Sequence, residues 1–223
     1  MAIAIGLAIL FFVIYFWSTG EIEATAPLTT TSIHSLPDQS LVVLNDGSSI
    51  KYVKGTWEEE RNILLVGEAF FNVKKGNTFQ VQTDKGIIEA VGTKFNVRAW
   101  GDKLYVECYE GSVQVINQQQ TITLVVNQSL NIIKNRTEDK ESIRHQKPLW
   151  STGSSQFHKE DINQVFAELE RQYAVIVNAP SMNRLFNGEF QHDDLERALK
   201  AICTPMQLTY EIDGTGRIVT IEE

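Results

Sequence analysis

The stretch IIEAVGTKFNVRAWGDKLYVECYEGSVQVI, residues 87–116, decides the fold of this chain. Apolar and polar residues alternate within short segments, and Gly92, Gly101 and Gly111 separate the segments. Alternation with a period of two is typical of β-strands, whereas an amphipathic helix repeats every three to four residues. The pattern therefore predicts four short strands joined by turns.

The same pattern extends in both directions, so residues 36–135 are predicted to form one all-β domain. Leu41–Leu44 runs into Asn45-Asp46-Gly47, and these three residue types tolerate the positive φ of a hairpin turn. Short strands at this spacing predict a sandwich, a jelly roll or a solenoid-like stack. The further predicted strands are Ile63–Val66, Ala69–Lys74, Phe79–Thr83, Thr121–Val126 and Ser129–Ile133.

The period changes in residues 150–223, where two helical stripes alternate with strands. Apolar residues recur at helical spacing over 162–173 and again over 195–202. Strands are predicted around both helices, and the last two, Gln207–Ile212 and Arg217–Ile221, form a terminal hairpin. The order β-α-β-β-α-β-β predicts a compact α+β module.

The N-terminus differs from the rest of the chain, because Ala2–Trp17 is an apolar run without a charge. A helix over residues 1–20 would reach about 30 Å, the thickness of the hydrocarbon core of a bilayer. We therefore expect a membrane-spanning helix there, a polar tether over 21–35 and an interdomain linker over 136–149. A cleavable signal peptide is the alternative, because Ala24-Thr25-Ala26 resembles a cleavage site.

Composition and motifs argue against several classes of function. A net charge of −8 without a basic block argues against nucleic acid as a partner. The sequence has no phosphate-binding loop and no nucleophile elbow. Glu89 and Glu107 fit the solvent side of strands, and the histidines lack metal spacing and are expected to be solvated. We therefore expect no enzymatic activity, cofactor or metal. The histidines are His34, His145, His158 and His192.

Two questions stay open at this level. Trp57, Trp100 and Trp150 leave a carbohydrate-binding platform as an alternative, although isolated tryptophans more often pack in a core. Cys108 and Cys203 are the only cysteines, and the sequence does not settle whether they form a disulfide.

Four motifs, in order, resemble the FecR (iron-dicitrate regulator) family, especially the form common in Bacteroidota. They are LNDGS at 44–48, GEAFFNV at 67–73, VGTKFNV at 91–97 and EGSV at 110–113. Glycine is useful where strands turn or bulge, and the apolar members suit a core. We therefore expect the motif residues to specify a fold rather than a reaction. They are Asp46, Gly47, Gly67, Glu68, Phe70, Gly92, Thr93, Phe95, Val97 and Gly111.

The C-terminal module is similar to the C-terminal domain of the same family. The matching features are Phe157 ahead of a helix, LERQY at 169–173, and NGEF at 187–190 before a second helix. That family domain resembles the secretin and TonB short N-terminal fold. The resemblance thus covers both predicted domains.

The resemblance implies a regulator in the inner membrane with its bulk in the periplasm. Its C-terminal module would bind the signalling domain of a TonB-dependent outer-membrane receptor and relay the signal to an extracytoplasmic-function sigma factor. Family members hold the sigma factor with a cytoplasmic domain ahead of the membrane helix. Because the apolar run begins almost at residue 1, we expect a truncated chain or a variant without that domain, and sigma-factor contact only if such a domain exists.

For the receptor contact we expect strand addition at the outer strand of the terminal hairpin. Alternating residues Arg217, Val219 and Ile221 would then form the partner-binding face. Two alternatives remain: a membrane-tethered carbohydrate-binding protein, and an envelope protein that self-associates through its C-terminal module.

Overall fold

The structure is a computed structural model that describes residues 20–118, 120–134 and 136–223. The described part is mainly β, as the sequence predicts, and divides into a β-domain and a C-terminal module. The predicted membrane helix lies outside these ranges except for Gly20. None of the helices within the described ranges is long and apolar enough to span a membrane.

The β-domain contains thirteen strands of four to twelve residues. They are β1 (Glu21–Thr25), β2 (Ser32–Ser35), β3 (Leu41–Leu44), β4 (Ser49–Val53), β5 (Arg61–Asn72), β6 (Phe79–Thr83), β7 (Gly86–Ala90), β8 (Lys94–Trp100), β9 (Lys103–Glu110), β10 (Ser112–Ile116), β11 (Thr121–Val125), β12 (Gln128–Ile133) and β13 (Arg136–Ser142).

The long strand β5 belongs to two sheets and joins them. Its first half pairs with β4 and β6, and its second half pairs with β3 and β8. The first sheet runs β1-β4-β5-β6-β7-β10-β11 and the second runs β2-β3-β5-β8-β9-β12-β13. All these pairs are antiparallel except β5 with β6. The β-domain thus consists of two sheets that share the strand β5.

Gly67 marks the point where β5 passes from one sheet to the other. Its φ is +102°, in the region that L side chains rarely adopt. A Cβ there would lie 2.4 Å from Ser48 Oγ and 2.9 Å from Trp100 Cζ2. Glycine is therefore required at this position for both conformation and space.

The core of the β-domain lies between the two sheets. Phe71, Phe79 and Phe95 are fully buried at its centre. The rings of Phe71 and Phe95 stack with their centroids 5.0 Å apart, and Phe79 meets Phe71 edge-on at 5.9 Å. Each such side chain contributes about 1.5–3 kcal/mol through burial. The alternation in the sequence therefore fixes which face of each strand is internal.

The expected tether and part of the expected linker are instead strands. Residues 21–35 contribute β1, which pairs with β4, and β2, which pairs with β3. Ile22 and Ala24 pack against the core of the β-domain, which explains why this polar, threonine-rich segment is ordered as a strand. Within 136–149, Arg136–Ser142 pairs with β12, although it is highly charged. Charge is compatible with an edge strand because its outer side faces water.

The C-terminal module has the predicted order of two helices and five strands, preceded by a short 3-10 helix, Leu149–Thr152. Asp161 and Asp194 cap the two α-helices by accepting hydrogen bonds from backbone N–H groups. The second helix ends at Met206, one residue beyond Pro205. The elements are β14 (Ser154–Asp161), α1 (Ile162–Tyr173), β15 (Ile176–Asn178), β16 (Leu185–Gln191), α2 (Leu195–Met206), β17 (Thr209–Ile212) and β18 (Ile218–Glu222).

The prediction of a free strand edge at Arg217–Ile221 is wrong, because β18 is a central strand. The module has a two-stranded sheet, β14-β16, and a three-stranded sheet, β15-β18-β17. β18 pairs with β15 in parallel and with β17 in antiparallel. Val219 and Ile221 are buried in the core of the module. A parallel pairing between strands distant in sequence is not visible in local periodicity, which explains the error.

Candidate functional site at the domain junction

The outer face of the second sheet carries a row of polar side chains that the C-terminal module covers. Glu68 on β5, Arg98 on β8, Tyr105 on β9 and Asn131 on β12 are neighbours across the four strands. Alternation predicts that such residues face water. Here they meet β14 and α1 instead, so the junction between the two domains is polar.

Arg98 is the central cation of this junction. Its guanidinium carbon lies 5.3 Å from the centroid of the Phe157 ring. Burial alone would lower the pKa of Arg98, but the carboxylates of Glu68 and Glu168 outweigh burial and raise it. Arg98 is thus held charged between one carboxylate from each domain.

Glu168 on α1 is the best-satisfied acid of the junction. Its carboxylate accepts hydrogen bonds from Ser155 Oγ at 2.9 Å and from Gln172 Nε2 at 3.1 Å, and it forms an ion pair with Arg171. Burial would raise the pKa of Glu168, but Arg98 and Arg171 together lower it to about 2. Glu168 is therefore ionised at neutral pH.

Asp46 and Glu68 of the β-domain behave in the opposite way. Burial, reinforced by the charge of Glu168, raises the pKa of Asp46 to about 7. Burial also raises the pKa of Glu68 to about 7, against the effect of Arg98. Glu68 accepts hydrogen bonds from Asn96 Nδ2 at 2.8 Å and Asn45 Nδ2 at 3.1 Å. These two acids therefore titrate close to neutral pH.

Two further contacts join the domains beside a cavity of about 400 Å³. Lys103 Nζ on β9 lies 2.8 Å from Glu160 Oε2 on β14, and both side chains are largely buried. Trp150 Nε1 donates to Asn96 Oδ1 at 3.2 Å. The cavity between these contacts is lined by charged and hydroxyl groups of both domains.

Glu107, His145 and His192 differ from the sequence-based expectation, whereas His158 is exposed as expected. Glu107 is buried and accepts hydrogen bonds from Tyr109 Oη at 2.7 Å and Tyr105 Oη at 3.2 Å. His145 Nε2 lies 2.7 Å from Glu107 Oε1, and this bond raises the pKa of His145. His192 contacts Ser155 Oγ at 2.9 Å. These side chains help to hold the junction, because the C-terminal module and its connection to β13 cover what would be a solvated face.

The tryptophans do not form the carbohydrate platform considered above. Trp57 is buried in the core of the β-domain and meets Tyr52 edge-on. Trp100 lies under the guanidinium of Arg171, 4.3 Å from its carbon, and Trp150 is buried at the junction. These rings therefore contribute to packing.

The family-motif residues divide between the core and the junction. Phe95 and Val97 are buried in the core as expected, whereas Phe70 is only half-buried, lies outside the core and packs against Tyr109. At the far end of β8, a Cβ on Gly111 would lie 2.8 Å from Thr93 Cγ2, and Gly92 has a φ of +65°. Asp46, Gly47, Gly67 and Glu68 lie at or beside the junction. The sequence identified these four residues but not the contacts of Asp46 and Gly47 with α1.

Arg98 and Glu168 are junction residues that the sequence did not single out, and Arg171 and Gln172 entered only as part of the LERQY motif. The sequence does indicate the position of Arg98: it alternates along β8 with the buried residues Val97 and Ala99, so it lies on the outer face of the strand. On α1, Glu168 and Gln172 are four residues apart and therefore share a helix face. Nothing local indicates that the two faces meet.

The described residues offer no metal site, because none of their His, Cys, Asp and Glu side chains form a group of three or more that could hold an ion. Cys108 and Cys203 are buried free thiols, one in each domain. The site is thus a charged interface within the chain, and its chemistry is that of ion pairing and proton binding.

Comparisons with known proteins agree with this architecture. Residues 29–114 match the model of the FecR protein family, and residues 155–221 match the model of the FecR C-terminal domain. No curated protein sequence matches the chain.

Two crystal structures of a candidate anti-sigma factor from Parabacteroides distasonis ATCC 8503 have a similar fold. The one solved at 2.50 Å has a TM-score of 0.83 at 24% identity and covers 92% of this chain and 99% of its own. The one solved at 1.65 Å has a TM-score of 0.81 at 25% identity and covers 91% of this chain and 99% of its own. With both domains matched in order and the fold shared, the chain belongs to the FecR family of regulators.

Proposed function

We propose that this chain is the periplasm-facing part of a transmembrane signal regulator of the anti-sigma type. Its C-terminal module would bind the signalling domain of a TonB-dependent outer-membrane receptor, and residues 1–20 would anchor it in the inner membrane. Family membership supports the regulatory role, and the family is not one of enzymes. The order of strands and helices in the module supports the likeness to the secretin and TonB short N-terminal fold.

The observation behind the receptor contact is a free strand edge in the module, at β17 rather than at β18. Asp213 N donates to Ile218 O at 2.9 Å. Hydrogen-bonded pairs alternate along an antiparallel ladder. The N–H and C=O groups of Tyr210 and Ile212 consequently point away from β18, to the outside of the sheet.

The opposite edge of the same sheet is capped. At β15, the outward N–H of Val177 donates to Glu170 Oε1 at 2.8 Å. A side chain that occupies an edge group competes with an incoming strand. Strand addition is therefore favoured at β17, where a partner strand would gain backbone hydrogen bonds.

The test is a titration of the full chain, in detergent, with signalling domains of TonB-dependent receptors from the same organism. We expect saturable binding to one of them and loss of binding on removal of residues 150–223. Ile212→Pro removes an outward N–H at β17 and should weaken binding at least about tenfold, or ~1.4 kcal/mol.

Val177→Pro is the matched control, because it removes an outward N–H at the capped edge and both side chains are partly buried in the same core. Equal losses for the two variants would refute the β17 contact. Failure of every signalling domain to bind would refute receptor coupling. An oligomer at micromolar concentration would then favour self-association.

A further inference from the structure

The last turn of α1 contacts the loop that follows β1. Thr29 N donates a hydrogen bond to Arg171 O at 3.1 Å, across the two domains. On its other side the loop is held by the β-domain, since Ala26 N donates to Ser48 O at 2.9 Å and Gly47 N donates to Pro27 O at 3.3 Å. The loop thus lies between the Asp46-Gly47 turn and the end of α1.

Side chains reinforce this backbone contact. Gln172 Nε2 donates to Asp46 Oδ1 at 2.6 Å. A Cβ on Gly47 would lie 3.2 Å from Leu28 Cδ2 and 3.4 Å from Arg171 Cδ, so helix, turn and loop are in close contact. The stacking of Arg171 on Trp100 adds a third attachment of the same turn of α1 to the β-domain.

Thr29 adopts a backbone conformation that is unfavourable for its residue type. Its φ is +63°, a left-handed value that a β-branched residue rarely adopts unless its surroundings impose it. The residue with this strained φ is the one whose N–H bonds to α1. The contact with α1 thus helps to hold the loop in its observed shape.

The loop is the direct continuation of the N-terminal segment. β1 begins at Glu21 and, among the strands that the structure describes, pairs with β4 alone, as an edge strand of five residues. Glu21 and Glu23 on β1 face Lys51 of β4 in exposed ion pairs, which contribute little stability. β1 is held by its ladder with β4 and by Ile22 and Ala24 against the core, and the loop adds a further attachment at its C-terminal end.

We propose that the last turn of α1 clasps the N-terminal segment, so that docking of the C-terminal module holds the loop Ala26–Thr31 and the adjoining end of β1 in place and its release loosens both. The role of the clasp in signalling rests on the proposed function: an event at the module would reach residues 1–20 through this loop. The clasp itself is a property of the chain alone.

Hydrogen exchange of the full chain in detergent tests the clasp, with no receptor present. Gln172→Glu places a carboxylate between Asp46 and Glu168 and should separate α1 from the turn. We expect exchange in peptides covering 21–31 to accelerate about tenfold or more, the equivalent of one lost hydrogen bond and added repulsion. Exchange in β8 and β9 should stay unchanged.

Two further variants keep the test decisive. Gln191→Glu makes the same substitution on an exposed side chain of the same module and should leave residues 21–31 unaffected. Gln172→Ala removes the hydrogen bond without adding charge and should give a smaller acceleration in the same peptides. It replaces Gln172→Glu if exchange in α2 shows that the module has unfolded.

The proposal is overturned if residues 21–31 exchange at the wild-type rate in both Gln172 variants, or if Gln191→Glu accelerates them equally. Because the measurement involves no receptor, its failure is distinguishable from failure of receptor binding. A chain that lacks the clasp could still bind a signalling domain, and a clasped chain could bind none.

Discussion

Gln172 Nε2 on α1 donates a hydrogen bond to Asp46 Oδ1 in the turn between β3 and β4 of the β-domain, at 2.6 Å and across 126 positions of sequence. The same amide nitrogen donates to Glu168 Oε1. One side chain therefore links an acid of each domain. The interface around it is polar and buried, and in such an interface the removal of one partner is costly because the other is left unsatisfied.

Arg98→Met should be strongly destabilising. The change leaves the carboxylates of Glu68 and Glu168 without their shared cation, and breaking a buried charge cluster in this way costs about 3–5 kcal/mol. Chemical denaturation of the variant measures the loss. Arg197→Met, on an exposed surface ion pair, should change stability by less than about 1 kcal/mol. A second change, Glu68→Gln, should restore part of the loss. Equal effects of the two arginine variants would contradict this account.

The stability of the β-domain should fall as pH rises from about 4 to about 7. The pKa of Asp46 is raised to about 7 in the folded chain, so the folded state binds more protons than the unfolded state over this interval. The contribution of Asp46 to stability is complete below the pKa that this carboxyl has in the unfolded chain. It is lost as the pH rises through the pKa that the carboxyl has in the folded chain. Thermal unfolding across this range measures the slope, and Asp46→Asn should make it shallower. An identical slope in the variant would rule out Asp46 as the source.

Below pH 4 the dependence should reverse. The pKa of Glu168 is lowered to about 2 despite burial, because Arg98 and Arg171 lie beside it. Its contribution is present above its unfolded pKa and is lost as pH falls towards 2. Glu168→Gln should therefore lower stability at pH 6 far more than at pH 2. A constant difference between variant and wild type at the two pH values would contradict the assignment.

Gly67→Ala should destabilise the chain by about 2 kcal/mol or more relative to Gly153→Ala. Both glycines have positive φ, so both variants suffer conformational strain. Only at position 67 does the new Cβ also meet side chains, at 2.4 Å, whereas position 153 has open space. Equilibrium denaturation compares the two. Similar losses would show that the junction of the two sheets can relax around a methyl group.

Cys108 and Cys203 should be unreactive until the chain unfolds. Burial raises the pKa of each thiol to about 11, and only the thiolate is an effective nucleophile. A colorimetric thiol assay at pH 8 should detect neither cysteine in the folded chain and both in denaturant. Rapid labelling of one thiol under native conditions would indicate that its domain opens locally.

The alternation of residues along 87–116 was sufficient to predict the strands and their internal faces, because burial of alternate side chains is a local property of a strand. The helical stripes on α1 and α2 were predictable for the same reason. Local periodicity also placed Phe95 and Val97 in the core, and turn-forming residue types placed Asp46-Gly47 in a turn. The predicted hairpin there is wrong, because the turn joins β3 of the second sheet to β4 of the first and these two strands do not pair. All of these patterns depend on residues that lie only a few positions apart in the sequence.

The tertiary structure alone decided what covers the outer faces. Periodicity predicted water over Glu107 and over the row that contains Arg98, but the C-terminal module lies there, and a polar face looks the same in sequence whether water or a polar partner covers it. Likewise β18 is central because a distant strand, β15, pairs with it in parallel. The sequence by itself determined the family resemblance, the two α-helices and all the described strands except β1, β2, β4 and β13, with their order and internal faces. The meeting of Asp46, Arg98 and Glu168 depends on contacts between residues more than fifty positions apart, and only the folded chain specifies those contacts.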